Sequence, residues 1–95
     1  MGMHVGYCRI VVRLYDTYTL KDKRRITQSV LSRIRNKFNV SASEIEHLDS
    51  KEYFGFGCSM ISNSRRIIDS TMNKILSYVE RERMLEVVEY EQSYL

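Results

Sequence analysis

Tyr53-Phe54-Gly55-Phe56-Gly57-Cys58-Ser59-Met60-Ile61 alternates large with small side chains, and the phase of that alternation decides the fold. Phe54, Phe56, Cys58 and Met60 share one face; Gly55, Gly57, Ser59 and Ile61 share the other. A period of two marks a half-buried strand. If the phenylalanines faced solvent, Cys58 and Met60 would follow them, and glycines and a serine would be left to fill a core. The opposite phase builds a core. The aromatics therefore point inward.

Working outward, Leu48-Asp49-Ser50-Lys51 turns the chain ahead of this strand. Asn39 to His47 reads as a weaker strand, with Val40 and Ala42 on one phase and Ile45 and His47 on the other. A bulge near Ser43-Glu44 would bring both sets to one side. Downstream, Ser62-Asn63-Ser64 supplies a helix N-cap, and Ile68, Met72, Ile75, Leu76 and Val79 form an apolar stripe to about Glu82. Leu85 to about Ser93 is a last strand, with Val88 and Tyr90 opposing Val87, Glu89 and Glu91. Upstream, Thr19 is an N-cap with Asp22 in a capping-box position, and Leu20, Ile26, Val30, Leu31, Ile34 and Phe38 share one helical arc. Val5 to Leu14 alternates again: Gly6, Cys8, Ile10, Val12 and Leu14 against Val5, Tyr7, Arg9, Val11 and Arg13.

The order is strand, helix, strand, strand, helix, strand. With right-handed crossovers, βαββαβ gives an α+β, ferredoxin-like sandwich: a four-stranded antiparallel sheet with both helices on one face. The first and third strands, the most apolar, belong in the centre. Residues 1–95 form a single domain in this reading, and Met1-Gly2 ahead of Met3 reads as an expression remnant without functional weight.

With 95 residues, 43% hydrophobic and 28% charged, the composition is globular and leaves no room for two cores. No apolar stretch approaches the roughly 20 residues of a membrane span. The opening residues lack the charged and apolar regions of a signal peptide, and Gly6 breaks the myristoylation pattern. Two cysteines and no proline exclude a disulfide scaffold and fit a cytoplasmic protein. The net charge of +3 is unevenly spread. Residues 1–40 carry nine Lys/Arg against two Asp; residues 41–95 carry six basic and ten acidic residues. Such asymmetry suits an anionic partner or self-association through complementary faces.

Several stretches, in order, carry a resemblance: Val5-Gly6 with Cys8-Arg9, Leu20-Lys21-Asp22-Lys23-Arg24-Arg25, Phe38-Asn39-Val40-Ser41, then Glu44, His47, Asp49 and Ser62-Asn63. Across residues 3–95 the chain resembles the YlxP-like family of small bacterial proteins. The resemblance implies a ferredoxin-like fold and no established activity. Genes of that family often sit among those for translation initiation and ribosome maturation, which implies a ribosome or RNA connection. Tyr15-Asp16-Thr17-Tyr18 departs from relatives, which tend to have Pro or Gly there.

Lys21, Lys23, Arg24 and Arg25 crowd a helix start, where the macrodipole favours acids. With Arg33, Arg35 and Lys37 they are the candidate nucleic-acid-binding residues, expected to meet ribosomal RNA or the small ribosomal subunit through phosphates. Lys23 leans toward the apolar arc, so its ammonium should emerge over the sheet edge. The plainer alternative is a solvated first turn paired with acids on the loop after the second strand.

The helix-free sheet face is the other candidate. Phe54-Gly55-Phe56 shares a few letters with the RNP1 pattern of RRM domains, but the inward phase of the phenylalanines rejects that match. Glu89 and Glu91 should also pair with Arg9 and Arg13 across the sheet, consuming charge that a nucleic acid needs. Val5, Tyr7, Val11, Tyr53, Ile61 and Val87 are instead candidate interface residues for a homodimer, or for a small-ligand module on this face. Cys8 and Cys58 read as buried hydrophobes, and with no CxxC or HxxxH spacing no metal or cofactor is expected. His47 with Glu46 and Asp49 is the only acid–base grouping in view. No nucleophile elbow, P-loop or dinucleotide turn exists, and the glycine-free Tyr15–Tyr18 loop fails as an acylphosphatase cradle. No enzyme is expected.

Overall fold

A computed structural model describes residues 2–95, so the reading of Met1 lies outside the described residues. The elements follow the expected order: β1 (His4–Leu14), α1 (Leu20–Lys37), β2 (Ser41–Glu46), β3 (Tyr53–Ser62), α2 (Arg65–Glu80) and β4 (Leu85–Tyr94). The strands form one antiparallel sheet in the order β2-β3-β1-β4, the ferredoxin-like arrangement. The two most apolar strands are central. Opposed pairs such as Cys8–Cys58, Ile10–Phe56 and Val12–Phe54 turn toward the helices. There they pack with Val30, Ile34, Ile68, Met72, Ile75 and Val79 into one core. Phe54 and Phe56 are both 0% exposed, stacked with ring centroids 4.9 Å apart.

Local chemistry sets the helix ends. The Asp22 amide donates to Thr19 Oγ1 at 3.0 Å, and Asp22 Oδ2 accepts from the Tyr18 amide at 3.4 Å. Ser64 Oγ caps α2 by accepting from the Ile67 amide. Gly6 is where α2 settles onto β1: a Cβ there would lie 2.5 Å from Ile68 Cγ2. At the far end of the sheet, Tyr94 Oη donates to Asp69 and its ring lies 4.4 Å from the Arg65 guanidinium, fastening β4 to the start of α2.

Two bulges change which residues share a face. In β2 the register against β3 slips between Glu44 and Glu46, leaving Ile45 as the extra residue. The expected bulge exists, but it does not draw Ile45 inward. Glu44 opposes Phe56 on the helix side, whereas Ile45 lies over Gly57 on the helix-free face, 49% exposed. In β4 the register against β1 slips so that Val11 opposes Glu89 while Val12 opposes Val87. Val88 becomes the unpaired residue, 45% exposed, and Val87 packs against the core. Val87 therefore does not lie on the helix-free face where the interface reading put it; the bulge places Val88 there instead.

Candidate nucleic-acid interface

Helix α1 carries all seven sequence-selected cations, and the structure divides them into three kinds. Lys21, Arg24 and Arg25 are exposed and, among the described residues, make no ion pair. The expected pairing with acids after the second strand is absent for all three. They lie at i, i+3 and i+4 and so share one outward face of the first turns.

Lys23 is a correction. Its side chain is 2% exposed, so it cannot reach a phosphate. Position 23 falls on the same helical arc as Thr27, Val30 and Ile34, all buried against the sheet. The ammonium finds its partners there: it donates to the His47 carbonyl and lies 3.3 Å from Glu44 Oε2. Glu44 Oε2 sits at ion-pair distance but is not aligned as a hydrogen-bond acceptor, and it has no other partner. The β2 bulge makes this pair by turning Glu44 inward. His47, at φ 59°, then swings its carbonyl toward the helix.

The remaining three cations are partly engaged. Arg33 pairs with Glu82 and lies 5.9 Å from the Tyr78 ring centre. Arg35 Nε and Nη2 donate to the Ala42 carbonyl at 3.1 and 2.7 Å, covering the outer edge of β2. Lys37 Nζ lies 5.0 Å from the Tyr78 ring centre.

The helix-free face is an ion-pair cluster with apolar residues around it. Arg9 donates through Nε and Nη2 to both carboxylate oxygens of Glu46, and Nη2 also reaches Glu89 at 3.0 Å. Glu91 stands 3.9 Å away. The hydrogen bonds from Arg9 hold the Glu46 carboxyl below the usual carboxylate range. Gly55 makes room for this cluster, because a Cβ there would lie 2.7 Å from Glu46 Cβ. Val11 is a second correction to the expected interface: it is 1% exposed. His47, Tyr53, Val88 and Glu89 wall the shallow cavity above it. Val5, Tyr7 and Tyr53 are half-buried, and Ile61 is 58% exposed.

Cys8 and Cys58 face each other across β1 and β3, both buried and free. The hydrogen bond that the Cys58 thiol donates to Cys8, together with burial, pushes the Cys58 thiol up. Among the described residues no three His, Cys, Asp or Glu side chains converge as metal ligands, and no helix is long and apolar enough to cross a membrane. His47 Nε2 is 4.0 Å from Glu46, whose carboxylate is already committed to Arg9.

The fold and its exposed basic helix define a small ferredoxin-like α+β protein with an electropositive helix layer. The chain belongs to the family described as "Protein of unknown function (DUF503)", whose model matches residues 5–92. It is 33% identical over 76 residues to "Uncharacterized protein YlxP" of Bacillus subtilis (strain 168), covering 80% of this chain and 83% of that protein. Among solved structures, a structural-genomics protein, YJCS, is similar at TM-score 0.50 and 12% identity, over 96% of this chain and 98% of that one. A dabb family protein with a ferredoxin-like fold from Mesorhizobium loti gives TM-score 0.39 and 16% identity, over 95% of each chain.

Proposed function

We propose that this chain is a non-catalytic, cytoplasmic RNA-binding protein that docks on ribosomal RNA or the small ribosomal subunit through α1. The observation that carries this reading is the unpaired, exposed set Lys21, Arg24 and Arg25, at a helix start where isolated cations are unfavourable. Phosphate contacts give such a set a purpose, and Lys and Arg match phosphate oxygens well. The helix-free face is unsuited to the same partner, because Glu46, Glu89 and Glu91 surround Arg9. Binding through phosphates is salt-dependent and weakly sequence-selective. Reversing Lys21, Arg24 and Arg25 to Glu should abolish binding to a labelled small-subunit RNA fragment, with folding intact. Unchanged affinity would place the contact elsewhere.

A second reading is a homodimer, or a small-ligand module, on the helix-free face. Three exposed apolar residues favour it: Ile45, Ile61 and Val88. An Ile61→Glu substitution then converts a dimer to a monomer in sedimentation; an unchanged mass rejects that interface.

A further inference from the structure

A cavity of about 270 Å³ opens between the end of α1 and the second half of α2, walled by Lys37, Phe38, Lys74, Ser77, Tyr78 and Arg81. Its three cations come from or adjoin both helices, and no carboxylate lines it. Among the described residues none of the three makes an ion pair. Lys74, Ser77, Tyr78 and Arg81 follow i, i+3, i+4 and i+7 and so form one face of α2. Phe38 meets Tyr78 edge-on with ring centroids 6.1 Å apart.

The helix dipole accounts for part of this arrangement. Cations are preferred at helix C-termini, which covers Lys37 and Arg81. It does not cover Lys74, nearly two turns before the end of α2. Three like charges around one cavity repel, and an anion between them relieves that repulsion. Phosphate is the anion that Lys and Arg hold best, and half-buried rings beside a hydroxyl suit a base and its sugar.

A row along α1 leads to the same place. Lys21, Arg25, Ser29, Arg33 and Lys37 recur every fourth residue. Each step advances about 6 Å along the axis and turns about 40°, so the row winds from the outer face toward α2. Its last two members, Arg33 and Lys37, are the cations beside Tyr78.

We infer that this cavity binds a nucleotide, its phosphate among Lys37, Lys74 and Arg81 and its base against Phe38 and Tyr78. The nucleotide is either free or one unit of a single RNA strand lying along the α1 row. The inference deepens the RNA reading, yet the cavity is testable without it.

The test follows backbone amides by NMR during titration with uridine 5′-monophosphate, a short oligouridylate and inorganic phosphate. Both nucleotide probes should shift the amides of Lys37, Phe38, Lys74, Ser77 and Tyr78. Lys74→Glu with Arg81→Glu, two exposed positions whose folding the same spectra check, should weaken both by roughly tenfold or more. A strand as the source predicts that the oligomer binds more tightly and that Lys21→Glu with Arg25→Glu removes only that advantage. A free nucleotide as the source predicts equal binding of both probes, untouched by the row variant. Three results would overturn the inference: no shifts at millimolar nucleotide, shifts that survive the double reversal, or inorganic phosphate binding as tightly as the nucleotide. Failure of ribosome binding alone leaves the mononucleotide result standing.

Discussion

Lys23 holds its ammonium where water does not reach, against one carbonyl and one carboxylate. Removing Lys23 leaves the buried Oε2 of Glu44 without its cation, although the Glu44 side chain as a whole is 21% exposed. Lys23→Ala should therefore cost about 3 kcal/mol or more in urea unfolding. Lys23→Met combined with Glu44→Gln should recover part of that loss, because no charge is then stranded. Glu46 makes a pH-dependent contribution of a different kind. Arg9 depresses its carboxyl in the folded state, so the stabilisation is complete above the unfolded-state value of about 4.3 and is lost as pH falls through the lower folded value. Thermal melts taken from neutral pH into acid should show a shallower acid limb for Glu46→Gln than for the parent. Asp16 sits at φ 60° in the loop between β1 and α1. Asp16→Val should lose about 1–2 kcal/mol, while Asp16→Gly should be tolerated.

At the scale of elements, the bulges in β2 and β4 decide what each face presents. The one in β2 lets Glu44 serve the helix side and Glu46 the other side, two residues apart. Gly55 is the empty space opposite, and Gly55→Val should drive β2 away from β3 at a cost of about 1–3 kcal/mol, seen by denaturation. The alternating patterns of β1 and β3 and the stripes of α1 and α2 are written plainly in the sequence, because each buries one face against a single core. The phase of Ile45 and of Val87 is not. A bulge is set by how a strand meets its neighbour, and period counting along one strand cannot see it. The same limit hides Lys23: a lysine on an apolar arc reads as a side chain reaching for solvent until a glutamate turned inward by a bulge is found beside it. The cavity cations Lys74 and Arg81 lie far along the chain from Lys37, and only the packing of α2 brings the three together.

Across the whole molecule, charge is sorted by layer. Helix α1 carries seven Lys/Arg against Asp22, whereas β2 and β4 carry five Glu and no Lys or Arg. The electropositive side is the helix layer, so a polyanion would be drawn to α1 and repelled by the sheet. β4 is an edge strand whose Glu86, Glu89 and Glu91 would face like charges if two copies paired there antiparallel. Joining of sheets edge to edge through β4 is thereby disfavoured, and any dimer should form face to face through Ile45, Ile61 and Val88. The most direct measurement is sedimentation of the protein with small ribosomal subunits at low and moderate salt, beside the Lys21→Glu, Arg24→Glu, Arg25→Glu variant. The account predicts co-sedimentation that salt weakens and the variant loses. Absence of co-sedimentation at low salt, or its persistence in the variant, would contradict it.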